Sequence, residues 1–192
     1  MKKIIIVIAV IAFSTVGAKA QTSFGLKGGM TSSNLNSSLK TPGVTISSKI
    51  GFYGGAFAEM GVSENFAVQP EVLFALLGAK ATINGVNFKQ DVAYANIPVL
   101  AKYKNKGFFA VVGPQVGILL SAKDAQGNSF KEDVKATDFS GIIGAGYTTM
   151  NGLGFDARYQ LGFSNILKND QGIGSLKNKA FYFGVHYQFG KK

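Results

Sequence analysis

The 192-residue sequence has no cysteine and no tryptophan, one histidine, one arginine and four prolines, and 16% of its residues are charged. The lack of cysteine excludes disulfides, thiolate metal sites and a cysteine nucleophile. With a single arginine and scattered lysines, nucleic acid is not expected as a partner, because arginine dominates specific phosphate and base contacts. Beyond the first twenty residues, no window holds about 18 consecutive apolar residues, so no transmembrane helix is predicted.

The first twenty residues have the pattern of a cleaved export signal. Basic residues near the start precede an apolar run over 4–13, and Ala18 and Ala20 form the small-x-small pattern of a cleavage site. The run is shorter than the roughly 20 residues that a spanning helix needs. We predict a signal peptide over 1–20, with Gln21 first in the mature domain (21–192). An uncleaved anchor is the alternative.

What the sequence does contain is 25 glycines, 16 phenylalanines and 7 tyrosines, arranged with a period of two residues. In the stretch 153–164, Phe155 and Tyr159 fall on one face, and Asp156 and Arg158 fall on the other. A helix, with 3.6 residues per turn, would spread these residues around its axis. Alternation of this kind predicts β-strands.

Eight such segments predict eight strands of about 9–13 residues, as transmembrane strands require, whereas globular strands average about 5–6. They lie near 23–31, 51–60, 66–77, 92–103, 108–120, 138–148, 153–164 and 181–189. Their connections alternate between short and long, as periplasmic turns and external loops do in bacterial barrels. The long connections are predicted near 35–49, 78–90, 121–137 and 166–178. The fold class expected is all-β, an eight-stranded antiparallel up-and-down transmembrane β-barrel in the outer membrane.

The polar face of the strands indicates which side meets lipid. A soluble lipocalin-type barrel, the alternative, would carry many lysines and glutamates there, whereas this face is mostly small and uncharged. Its few charges are three acids and three bases, which suits a narrow lumen where ions must pair. The predicted lumen polar network comprises Lys27, Glu59, Glu71, Lys102, Gln115, Asp156, Arg158 and His186.

Three prolines fall inside predicted strands, where each removes a hydrogen bond from the ladder. Pro70 and Pro98 both lie near a short turn. We expect them to mark β-bulges.

Five stretches of the sequence have a recognisable pattern: 24–29, 51–59, 68–74, 97–103 and 113–117. Together they resemble the PorT-like outer-membrane β-barrel family common in Bacteroidetes. The family takes its name from a member that assists protein secretion across the outer membrane, and the resemblance implies that role only as an alternative. The last strand also resembles the signal that outer-membrane assembly machinery recognises, a glycine followed by spaced aromatics, here Gly184, Tyr187 and Phe189.

No catalytic, metal or cofactor site is predicted. His186 is the single histidine, and neither a nucleophile nor a set of metal ligands accompanies it in the sequence. The expected function is non-enzymatic: binding or adhesion through loops, or a structural role in the envelope. An accessory role in a secretion or assembly machine and a lipid-modifying enzyme are the alternatives. Expected partners are outer-membrane lipid and lipopolysaccharide, the assembly machinery, and an extracellular ligand or secretion partner.

Overall fold

The computed structural model describes residues 22–37, 44–83, 86–124, 126–132, 134–165 and 176–190. They form β1 (Thr22–Ser37), β2 (Val44–Gly61), β3 (Phe66–Ile83), β4 (Val86–Asn105), β5 (Phe108–Asp124), β6 (Thr137–Thr148), β7 (Leu153–Gly162) and β8 (Leu176–Gln188). Neighbouring strands pair antiparallel in chain order, and β1 pairs with β8 to close a barrel. The predicted eight-stranded antiparallel barrel is confirmed.

Two sequence predictions concern segments other than strands, namely a membrane-spanning helix and a signal peptide. In the described ranges, no helix is long and apolar enough to cross a membrane. The predicted signal peptide and its cleavage site at Ala18, Ala20 and Gln21 lie outside the described residues.

The outer wall of the barrel carries a continuous apolar belt. Outward side chains are apolar or glycine over 50–60 in β2, 66–76 in β3, 93–103 in β4 and 153–163 at β7. Each run has the length of about 9–11 residues that a tilted transmembrane strand needs. Aromatic pairs gather at the end with the short turns, as interfacial girdles do. Among them are Phe66–Tyr103, Phe108–Tyr147 and Tyr187–Phe189.

Three strands continue well past this belt at the end with the long connections. Residues 44–49 of β2, 78–83 of β3 and 86–91 of β4 remain paired with one another; we call them the strand extension. Six residues of strand correspond to about 20 Å. The predicted long connections over 35–49 and 78–90 are therefore wrong in large part. A short alternation of apolar and polar residues does continue there, as in Val86-Asn87-Phe88-Lys89, but the prediction ended each strand at the limit of the longer apolar pattern.

The in-strand prolines do not produce bulges. Pro70 pairs with Val99 and Pro98 with Gln115, and the register is the same on both sides of each. The ladder has short gaps beside them and no extra residue, so the bulge hypothesis is wrong. A gap of two residues accommodates the missing N–H without shifting the alternation of side chains. The register shifts lie elsewhere, between residues 48 and 53 and between residues 93 and 94.

Candidate functional site

The lumen contains the main cluster of buried polar side chains. All eight residues named from the sequence point inward and are buried. Arg158 of β7 reaches across the barrel to Glu71 of β3, with Nη1–Oε2 and Nη2–Oε1 distances of 2.7 and 3.0 Å. This two-point geometry is the strongest arrangement of a guanidinium and a carboxylate. Since β3 and β7 are not neighbours, the pair joins opposite walls.

Asp156 is the second anionic centre of the lumen. Lys27 Nζ lies 2.9 Å from its Oδ2 and 3.7 Å from Glu71 Oε1, so one ammonium bridges the two carboxylates. Arg158 Nε lies 3.0 Å from Asp156 Oδ1. Among the described residues, neither of these last two atoms has an aligned hydrogen-bond partner. Their attraction is therefore ionic and not directional.

A second group of charges lies toward the short-turn end. Glu59 accepts hydrogen bonds of 2.7 Å from both Lys102 and Lys104. Lys102 also donates to Gln69 Oε1 at 3.0 Å, and the amide of Gln69 donates to Glu71. Gln69 thus links the two groups into one network of ion pairs and hydrogen bonds.

Gln115 belongs to a separate, uncharged network. Its amide donates to Ser140 Oγ at 3.1 Å, which also accepts from Gln160. Tyr182 Oη donates to Gln160 Oε1 at 2.7 Å and lies 3.5 Å from the amide nitrogen of Asn96. The sequence grouped Gln115 with the charged residues, and no described hydrogen bond joins it to them.

Apolar side chains fill the end of the lumen that faces the strand extension. Leu77, Tyr94 and Leu119 pack in one buried cluster. Two residues of the connection between β5 and β6 join it: Val134 is buried within the cluster, and Phe130 packs against it. This connection therefore folds back over the mouth of the barrel.

Charge balance explains how the lumen tolerates so many ions. Glu59, Glu71 and Asp156 each lie within an ion-pair distance of a buried base, which is Lys102, Arg158 or Lys27. A fourth buried acid, Asp138, accepts hydrogen bonds from Ser164 and Asn178. Desolvating an ion costs several kcal/mol, and a well-placed partner offsets most of that cost. The ion pairs fix the relative positions of β1, β2, β3, β4 and β7.

His186 has partners that the sequence did not reveal. Its Nε2 lies 3.0 Å from Thr148 Oγ1, and its Nδ1 lies 3.4 Å from Asp156 Oδ2. The rings of Phe57 and Phe109 meet it edge to face. The order hydroxyl, imidazole, carboxylate is that of a nucleophile triad, but here Lys27 and Arg158 occupy the carboxylate. Among the described residues, no group of three His, Asp or Glu side chains could hold a metal ion.

Most of the residues that the sequence reasoning missed are uncharged or lie at strand ends. Gln69, Gln160 and Thr148 follow the same alternation along their strands as the charged residues. Their odd or even position could therefore have placed them on the lumen face. Asp138 is buried near the start of β6, where it accepts hydrogen bonds from Ser164 at 2.7 Å and Asn178 at 2.9 Å. Ser164 lies just beyond β7, and Asn178 lies near the start of β8. Close to a strand end, alternation is a weak guide to which face a side chain occupies.

The residues of the expected assembly signal lie on opposite surfaces of β8. Gly184 faces the lumen, where an added Cβ would collide with Tyr53 Oη. Tyr187 and Phe189 face outward, about half exposed, with ring centroids 5.2 Å apart. Whether assembly machinery recognises them stays a prediction.

Comparisons with known proteins agree with the barrel geometry. Residues 19–168 match the family model described as "Outer membrane protein beta-barrel domain". The solved structure of Neisserial surface protein A (NspA) superposes with a TM-score of 0.58 at 12% identity, covering 88% of this chain and 99% of that one. OprG from Pseudomonas aeruginosa gives 0.48 at 15% identity, covering 91% and 98%. The likeness to NspA concerns the fold alone. Among curated proteins, no significant match is found.

Proposed function

Since the chain belongs to the outer membrane protein β-barrel domain family and lies in the outer membrane, we propose that it is a non-enzymatic barrel that binds a ligand through its extracellular end. Short turns face the periplasm in bacterial barrels and long connections face outward. The strand extension is thus extracellular. It is the observation that carries the proposal, because a paired sheet about 20 Å long above the belt is more than membrane anchorage requires.

The filled lumen supports binding in preference to transport. Ion pairs occupy its middle and periplasmic part, and the apolar cluster with Val134 and Phe130 occupies its extracellular end. Eight strands leave an interior just wide enough for side chains. The surface available to an outside ligand is therefore the extracellular rim.

Charge on this rim favours an anionic ligand. Lys123, Lys131 and Lys135 are exposed in or beside the connection from β5 to β6. Of the acids described there, Glu132 is exposed, and the carboxylate of Asp124 accepts backbone hydrogen bonds from Gln126 and Asn128. Lysine-rich surfaces attract phosphate and sulfate groups and raise the rate of encounter. Lipopolysaccharide phosphates and acidic polysaccharides are the ligand class we propose.

Shortening one hairpin tests the proposal. Gly78 pairs directly with Asp91, so replacing residues 79–90 by Asn-Gly should close β3 and β4 with a two-residue turn. The belt and the lumen network are unchanged in this variant. We expect binding of purified lipopolysaccharide or heparin to fall about tenfold or more, because the removed segment contains Lys80 and Lys89, and each lysine contributes about 1 kcal/mol of attraction to an anionic surface.

The matched control replaces residues 149–153 with Asn-Gly, between the paired residues Thr148 and Gly154, and should bind as the parent does. Binding is measured by biolayer interferometry on detergent-solubilised barrels, with neutral dextran as the negative probe. Equal binding by the short-hairpin variant, or no binding of either anionic probe by the parent, would refute the proposal.

An accessory role in secretion is the second candidate. The PorT-like resemblance rests on stretches that lie in β1, β2, β3, β4 and β5, five adjacent strands of the barrel: 24–29, 51–59, 68–74, 97–103 and 113–117. A secretion partner would contact the wall that these strands form or the periplasmic turns. A stoichiometric protein that co-purifies in mild detergent would favour this role over ligand binding.

Enzymatic activity is the third reading, and the burial of its candidate residues disfavours it. Thr148 and His186 are both nearly inaccessible in the lumen, and two cations hold Asp156. A deletion strain with unchanged lipopolysaccharide would agree with the non-enzymatic proposal.

A further inference from the structure

A groove of about 680 Å³ crosses the lipid-facing wall from β4 to β8. Its floor is a transverse row of small side chains, since Ala110 pairs with Ala145 and Ala145 pairs with Ala157. The row ends at Tyr103, which pairs with Ala110, and at Phe183, which pairs with Ala157. Three adjacent methyl groups therefore form the bottom of a trough, with one aromatic ring at each end of the row.

Larger side chains form both sides of the trough. The row on the extracellular side comprises Val112, Ile143, Tyr159 and Phe181, and that on the periplasmic side comprises Phe108, Tyr147 and Phe155. A second groove of about 490 Å³ shares Tyr103, Ala110 and Ala145 with the first and reaches Asn105 at the end of β4. The trough thus opens toward the periplasmic turn between β4 and β5.

The dimensions of the trough suit one extended hydrocarbon chain. Adjacent strands lie about 4.8 Å apart, so the four steps from Tyr103 to Phe183 span about 19 Å. The trough is one residue row wide. A second barrel would present a convex wall, which touches the rims of such a trough and leaves its floor empty.

The open end of the trough has an excess of positive charge. Lys104 and Lys106 flank Asn105 directly, and Lys106 is exposed in the turn. The nearby acids are Glu64 in the adjoining turn and Glu59, which Lys102 and Lys104 already neutralise. Three lysines against two glutamates leave one positive charge, and an anionic headgroup would balance it.

We propose that this groove binds a single anionic phospholipid of the periplasmic leaflet, with one acyl chain over the alanine row and the phosphate at Lys106. The site is independent of the proposed extracellular function, because it lies at the other end of the barrel. Acyl contact with the floor supplies affinity through burial of apolar surface. The lysine supplies selectivity for charge.

Filling the trough tests the acyl contact. Ala145→Leu places a larger apolar side chain on the floor, and Ala157→Leu is a second variant at the same floor. Native mass spectrometry of barrels with added phosphatidylglycerol should show the one-lipid adduct weakened about tenfold, as expected for the loss of two buried methylenes. Ala56→Leu, on the outer wall of β2, is the control and should retain the adduct.

Reversing the charge at the open end tests the headgroup contact. Lys106→Glu should reduce the preference for phosphatidylglycerol over phosphatidylcholine about fivefold, whereas Lys135→Glu at the extracellular end should not. Folding of every variant is checked by its heat-modifiable electrophoretic mobility. Unchanged adducts in folded Ala145→Leu and Ala157→Leu, equal loss in Ala56→Leu, or a barrel dimer that Ala145→Leu abolishes would overturn the proposal.

Discussion

Glu71 is the residue on which the charge balance of the lumen depends most. Its carboxylate accepts two hydrogen bonds from Arg158 and lies 3.7 Å from the ammonium of Lys27. Glu71→Gln would leave those two cations with Asp156 as their close anion. We expect the free energy of unfolding to fall by about 3–5 kcal/mol, the usual cost of leaving a buried charge uncompensated. Urea titration of the barrel in lipid vesicles measures this change.

Two comparisons separate charge balance from packing at this position. The double variant Glu71→Gln with Arg158→Gln restores neutrality and should be less destabilised than Glu71→Gln alone. Glu132→Gln, on the exposed connection after β5, should change stability by less than about 0.5 kcal/mol. A double variant less stable than the single one would show that the side chains matter through their packing and not through their charge.

At the residue scale, the sequence identified charges well and their partners poorly. The alternation of side chains along a strand indicates whether a residue faces the lumen or the lipid. It placed Lys27, Asp156 and Arg158 on the lumen face. It cannot say which side chains meet across the lumen, since that depends on the stagger between strands. Gln69 and Thr148 could be placed on the lumen face by their alternation, but their contacts with Lys102 and His186 could not be predicted.

The two surfaces of β8 can be changed separately by mutation. Tyr187→Ala and Phe189→Ala change outward side chains of the expected assembly signal and leave the lumen intact. We predict slower insertion in cells, with stability after refolding into vesicles changed by about 1 kcal/mol or less. Pulse-chase appearance of the folded, heat-modifiable form measures insertion.

The control for that prediction lies on the same strand and the same surface. Phe181→Ala removes an outward aromatic that is 50% exposed, similar to the 47% of Tyr187 and Phe189. It should insert at the parental rate. If Phe181→Ala delays insertion equally, the effect reflects aromatic contact with lipid in general, and the assembly signal is not located at these two residues.

At the element scale, the number and order of the strands follow from the sequence because the membrane imposes apolar contrast on every one of them. Beyond the belt that constraint ends, and the strand extension was predicted as loop. The effect of the in-strand prolines could not be predicted from the sequence either. Ladder gaps at Pro70 and Pro98 cost hydrogen bonds but preserve register, and residue type alone does not distinguish a gap from a bulge.

For the whole molecule, the described geometry implies a strict division between two ends. The strand extension and the connection after β5 lie at one end. The short turns and the aromatic pairs Phe66–Tyr103 and Phe108–Tyr147 lie at the other. The closed sheet satisfies backbone hydrogen bonding within the bilayer, which an open sheet could not do. The apolar belt between the ends can then contact lipid directly.

Because the chain has no cysteine, single cysteines report this division without background. Ser47→Cys and Gln126→Cys are exposed at the end that we propose to be extracellular, whereas Ser63→Cys and Asn151→Cys are exposed in the short turns at the other end. A membrane-impermeant maleimide should label the first pair in intact cells and the second pair only after the outer membrane is permeabilised. The reverse pattern would invert the barrel and place the lysine-rich rim in the periplasm. Labelling of all four in intact cells would mean that neither end is shielded by a membrane, and the belt would then need a protein partner in place of lipid.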